Sequence, residues 1–213
     1  KAIEAEVARL NQDPDALDVL VDRQNYRLAH WGTASRELGY RRFFDIKDLV
    51  GLRMEDIEVF QASHALPITW VQEGWVQGLR IDHPDGLRDP ADYLHRLHEA
   101  CPDTWIVAEK ILEPGETLPP DWPIAGTTGY DFLNLAGGLF IDPKGEDRLT
   151  RVYEDFVGEP TDYGALVRTC KRLILTEILA SEVNRLTSLF VDICELHRRY
   201  RDYTRRELRD ALC

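Results

Sequence analysis

VQGLRIDHPDGLRDP, residues 76–90, is the stretch that decides the fold. Residues 76–82 are a short apolar-rich run ending on a charge, the pattern of a buried strand that passes into a loop. Asp89-Pro90 then supplies a capping acid and a proline for the first turn of a helix. Leu94, Leu97 and Cys101 give that helix a buried stripe, and Pro102 ends it. A second apolar run, TWIVAEKIL (104–112), again passes into charge. Upstream, Ile57, Phe60, His64, Ile68, Val71 and Trp75 recur at three- and four-residue steps. Residues 55–73 therefore read as a helix with His64 on its core face. Pro67 should kink or break this helix, and Gly74 should stop it. The order helix, strand, loop, helix, strand is that of a parallel βαβ unit, which puts both strand ends on one edge of the sheet.

Outward from this centre the signals are weaker. Residues 1–10 read as a short amphipathic helix, and residues 11–40 as mixed and polar, broken by Pro14 and Gly32. YRRFFDIKDLVGLR, residues 40–53, has no clean period and reads as a loop bearing a surface cluster. Residues 113–145 are rich in proline and glycine. They read as one long structured loop, ordered by Trp122, Tyr130 and Phe132. Beyond Gly164 the chain holds neither proline nor glycine, so the remainder should be helical. Thr204 and Glu207 have the spacing of a capping box at the start of a last helix.

The formal net charge of -12 argues against a nucleic-acid partner, because phosphate binding needs a basic footprint. No apolar run approaches the length of a membrane span, so no membrane partner is expected. The four cysteines, Cys101, Cys170, Cys194 and Cys213, form no CxxC pair and read as reduced thiols of a cytoplasmic protein.

The chemistry concentrates on two acids. Asp82 and Glu109 are one βα unit apart, each at the end of a strand. Neighbouring strands lie about 4.8 Å apart. Two carboxylates leaving such ends can face each other across roughly 5 Å, the separation of a retaining glycosidase; an inverting enzyme needs a wider gap to admit water. Arg80 precedes Asp82 by two residues and so shares its face of the strand, where it should hold the Asp82 carboxyl ionised. Other readings stay open. His83, Asp85 and Glu109 have a spacing that a divalent metal could use, although no further histidines accompany them. Phe43, Phe44 and Asp45 could line a cleft or form a surface cluster. Residues 146–213 could be a helical interaction module if they carry an exposed apolar stripe.

GLRIDHPDGLRDP resembles the nucleophile strand of the α-amylase superfamily (glycoside hydrolase family 13), in which an arginine precedes the catalytic aspartate by two residues. WIVAEKIL resembles the following strand with its acid/base glutamate. The ordered series YRRFFDIKDLVGLR, GLRIDHPDGL, VAEKIL, LPPDWPIAGTTGYDFLN and LTEILASEVNRL is similar to the (1→4)-α-D-glucan 1-α-D-glucosylmutases of that superfamily, from about Asn25 to about Leu186. The resemblance implies an α/β fold: two or three βα units of a (β/α)8 TIM barrel over residues 1–145, then a helical subdomain over 146–213. It implies Asp82 as nucleophile and Glu109 as general acid/base. It further implies that Arg80, His83, Lys110, Tyr130 and Asp131 contact a maltooligosaccharide, and that no metal or organic cofactor is needed. The reaction implied is intramolecular transglucosylation, turning a reducing-end α-1,4 linkage into an α,α-1,1 linkage. An α-amylase-type hydrolase or another transglycosidase is the nearest alternative. A complete barrel needs about 250 residues, and the family's third catalytic aspartate has no matching segment here. The chain begins at Lys1, and we expect an internal portion of a larger enzyme, with the rest of the barrel as its partner and little activity alone.

Overall fold

The computed structural model describes residues 1–213. In chain order the elements are helices α1 (Ala2–Leu10) and α2 (Pro14–Asp22), strands β1 (Arg42–Phe43) and β2 (Ile46–Val50), helix α3 (Ile57–Gln72), strand β3 (Gly78–Ile81), helix α4 (Pro90–Ala100), and strands β4 (Trp105–Ala108) and β5 (Gly126–Thr127). Five helices follow: α5 (Tyr130–Gly138), α6 (Glu146–Val157), α7 (Tyr163–Leu173), α8 (Ala180–Glu195) and α9 (Arg205–Leu212). Contacts group Leu49–Tyr163 into one unit, and Lys1–Asp48 with Gly164–Cys213 into another. The boundary that the resemblance implies, between residues 145 and 146, falls inside the first of these.

The unit Leu49–Tyr163 is built on a parallel sheet in the order β3-β4-β5. Gly78 to Ile81 pair in register with Trp105 to Ala108, and Val107 and Ala108 pair with Gly126 and Thr127. The central position of β4 explains its composition. A strand flanked on both sides and covered on its faces reads as a continuous apolar run, and Ile106, Val107 and Ala108 are buried. Helix α4 begins as its sequence dictates, with the Asp89 carboxylate accepting from the Asp92 N–H at 3.0 Å. Its stripe is the heart of the core: Leu94, Leu97 and Cys101 are buried, and the first two pack with Phe60, Tyr93 and Ile106.

Helix α3 differs from its sequence reading in two ways. It runs unbroken through Pro67, the missing N–H being absorbed without ending the helix. Its buried face is also narrower. Phe60 is buried, and Ile68 packs on the core, but Ile57 and Trp75 are exposed. Trp75 lies beyond the helix end, where it no longer follows the helical period. Residues 113–145 are likewise not a single loop. They contain β5, α5 and a one-turn helix at Pro143–Gly145. Two residues of β5 carry too little periodicity to be read locally; their pairing with β4 is a long-range event. On α6, Leu149, Val152 and Phe156 form an exposed apolar stripe, the feature a helical interaction surface would require.

Residues 40–53 correct the loop reading, because β1 and β2 pair as a two-stranded sheet. Phe44, in the link between them, has φ +51°, and its ring meets Phe43 edge to face at 4.5 Å. The buried Arg42 ties this sheet to the helices. Its guanidinium donates to the Ile178 carbonyl at 2.6 Å and to the Asp45 carbonyl at 3.3 Å, and pairs with Glu182 at 3.2 Å. Ile178 closes a π-helical stretch, Ile174–Ile178, that leads into α8. The capping box at Thr204 and Glu207 opens α9 as its spacing requires. No helix is long and apolar enough to cross a membrane.

Glu182 gives the unit that holds it a pH dependence. Burial pushes its carboxyl up, but the Ser181 hydroxyl and the Arg42 guanidinium together outweigh burial and hold it below its ordinary 4.5. A group depressed in the folded state stabilises above its unfolded value, and that stabilisation is lost as pH falls through the folded value. Urea midpoints followed downward from about pH 5 should therefore drop, and Glu182→Gln should flatten that slope. A slope identical in the variant would remove Glu182 from the account.

Candidate active site

The site is assembled by strand ends. The Glu109 N–H donates to the Ile81 carbonyl at 2.8 Å, so the parallel ladder runs one step past the strands. Asp82 and Glu109 therefore leave neighbouring strands at the same edge. On the far side of β4, the Thr128 N–H donates to the Ala108 carbonyl at 3.0 Å, which brings Tyr130 to the same edge two residues later.

Arg80 is the centre of the arrangement. Its Nη1 lies 2.6 Å from Asp82 Oδ1 and its Nη2 3.3 Å from Glu109 Oε1, so one guanidinium spans both acids. Donation from Arg80, with a contribution from Glu109, holds the Asp82 carboxyl below its ordinary range, so Asp82 is anionic at neutral pH. Glu109 has polar partners of its own. The apolar residues before it form the buried strand behind, while the carboxylate accepts from the Tyr130 hydroxyl at 3.4 Å and from the His83 N–H at 3.2 Å. The Asp82 side chain is 58% exposed and that of Glu109 25%, so the pair is asymmetric in solvent access as well as in partners.

Of the residues singled out in the sequence, the structure brings Arg80, Asp82, His83, Glu109 and Tyr130 together. Lys110 is turned away from the carboxylates. Its Nζ pairs with Asp85 at 3.1 Å and with Glu116 at 3.2 Å. Asp131 accepts from the Thr127 hydroxyl, which anchors the first turn of α5 and holds its carboxyl below the ordinary range. Because Asp85 faces Lys110, and no three His, Cys, Asp or Glu side chains converge, His83, Asp85 and Glu109 do not form a metal-ligand set. Phe43, Phe44 and Asp45 lie on β1 and in the link that follows it, in the unit that does not hold the carboxylates.

Two features escaped the sequence reading. The first is the pair formed by His64 Nε2 and the Tyr93 hydroxyl, 2.8 Å apart, joining α3 to α4. Burial pushes the Tyr93 phenol up to about 12 and pulls His64 below its ordinary value. His64 was legible as a core-facing residue; its partner on another helix was not. The second is a cavity of about 250 Å³ against β3, lined by Arg80 and Asp82 together with His64, Ile68 and Tyr93.

Parallel strands thus deliver two carboxylates and a bridging arginine to one sheet edge of an α/β unit. The relatives are more specific. The chain is 47% identical over 166 residues, 78% of its length, to a Mycobacterium tuberculosis protein named as a candidate maltooligosyl trehalose synthase, and spans 21% of that protein. It superposes on the structure of maltooligosyltrehalose synthase from Arthrobacter ramosus with TM-score 0.78 and 44% identity, covering 84% of this chain and 23% of that one. A hypothetical maltooligosyl trehalose synthase from Sulfolobus tokodaii gives TM-score 0.73 and 31% identity, over 95% of this chain and 29% of that one. No family model matches the chain. It thus corresponds to a portion of the maltooligosyl trehalose synthases, between a fifth and a third of their length.

Proposed function

We propose that the chain supplies the nucleophile and the acid/base of a cytoplasmic glucosylmutase that rearranges maltooligosaccharides, and that β3, β4 and β5 are strands of its (β/α)8 barrel. The observation that carries this reading is the single guanidinium spanning Asp82 and Glu109 at the ends of adjacent parallel strands. Asp82, kept anionic by Arg80, attacks the anomeric carbon of the reducing-end linkage. Glu109, carrying a proton, delivers it to the departing glucose oxygen as the glycosyl bond to Asp82 forms. The released glucose stays bound, turns, and re-enters through its own anomeric hydroxyl. Glu109 now accepts that proton, and Asp82 is regenerated. Retention follows from two displacements at one carbon. Water must be kept from the covalent intermediate, or hydrolysis replaces transfer.

Tyr130 and His83, which both donate to Glu109, meet the glucose in this reading. Lys110 and Asp131 reach a sugar only by giving up Asp85, Glu116 and Thr127, so their first contribution is to fix the segments that carry their neighbours.

The test is incubation of the parent polypeptide with maltopentaose. Reducing ends should disappear without release of free glucose, and the 213-residue chain alone should convert little. A rise in reducing ends would instead identify a hydrolase.

A further inference from the structure

His83 holds an unusual backbone for a residue with a side chain, φ +47° and ψ +54°, in the left-handed region. That conformation turns its N–H onto Glu109 Oε2. Three residues on, Gly86 ends the one-turn helix Pro84–Gly86, and the His83 ring lies directly over it. A Cβ built at Gly86 would stand 2.5 Å from His83 Cδ2 and 2.9 Å from His83 Nε2, closer than real Cβ contacts come. Gly86 is not at positive φ, so a side chain there meets the ring rather than backbone strain and would have to displace it. Asp85, in the same turn, pairs with Lys110, the residue that follows Glu109. The turn after β3 is thus fastened to the end of β4 twice, once through a backbone N–H on Glu109 and once through an ion pair one residue further.

We propose that the turn Pro84–Gly86 is a positioning device for the Glu109 carboxylate, in which the bare α-carbon of Gly86 seats the His83 ring, the seated ring keeps residue 83 left-handed, and the Asp85–Lys110 pair holds the turn against β4. The device sets the direction of Oε2 while Arg80 and Tyr130 hold Oε1. It rests on Glu109 being the acid/base only for its catalytic meaning; the geometry stands apart from that reading.

Amide NMR on the 213-residue chain tests the geometry without an activity assay. Glu109→Gln should shift the His83 amide resonance, because the group that accepts from it changes from a carboxyl to an amide. Gly86→Ala should shift it too, and should speed its hydrogen exchange by about tenfold or more as the bond to Glu109 Oε2 is lost. The Glu109 amide, bonded to the Ile81 carbonyl, should stay protected in both, which shows the sheet intact. If Gly86→Ala fails to fold, Asp85→Asn decides: it should speed His83 exchange, whereas Glu116→Gln, which leaves Asp85 on Lys110, should not. Unchanged His83 exchange in every folded variant overturns the proposal. In the parent enzyme, Gly86→Ala should lower turnover of maltopentaose with less change in KM. If the NMR result holds but Glu109→Gln keeps full activity, it is the acid/base assignment that fails and not the turn.

Discussion

Asp82→Asn should lower maltooligosaccharide turnover by the parent enzyme by roughly four orders of magnitude or more, since it removes the group that forms the covalent bond. The neutral amide is a poor nucleophile at any pH. It also leaves Arg80 with Glu109 alone, so the charge balance of the site changes with the chemistry. Glu109→Gln should cost less, about 10²- to 10⁴-fold, the range for loss of a general acid/base. Substrates whose leaving group departs without a proton, such as an α-glucosyl fluoride, separate the two roles. They should restore the first step in the Glu109 variant and leave the Asp82 variant silent. Equal recovery in both would reverse or dissolve the assignment.

Leu97→Ala should destabilise the unit Leu49–Tyr163 by about 2–5 kcal/mol, the usual cost of truncating a buried leucine whose surroundings relax only in part. Leu97 is 1% exposed and packs with Leu94, Phe60, Tyr93 and Ile106. It also lines the cavity that reaches Arg80 and Asp82, so the space it vacates adjoins the site. Urea unfolding measures the loss as a lower midpoint at constant slope. A change below about 1 kcal/mol would mean that this core collapses onto the gap, against the behaviour of tightly packed interiors.

Two exposed tryptophans provide the contrast. Trp105 opens β4 but is 63% exposed, and Trp75 is 69% exposed. Their replacement touches no packed core. Ring size predicts little here, and position in the core predicts nearly everything.

The sequence alone determined the central βαβ unit. Its signals are local: Asp89-Pro90 starts α4, the Leu94–Leu97–Cys101 stripe faces the core, and two apolar runs end on Asp82 and Glu109. These follow from short-range periodicity and capping, which operate within a few residues of chain. Arg80 beside Asp82 was legible for the same reason, because alternate residues of a strand share a face. Only the tertiary structure decided the rest. The two-residue strand β5 exists by pairing with β4, nineteen residues earlier in the chain, and no local pattern announces that partner. Helix α3 buries less than its stripe offers, because burial depends on what lies opposite. Lys110 turns to Asp85 and Glu116, and Tyr93 meets His64, through contacts of 6 to 29 residues' separation. The reach of Arg80 across to Glu109 is of the same kind: a strand fixes which way a side chain points, and the neighbouring strand's register fixes what it finds there.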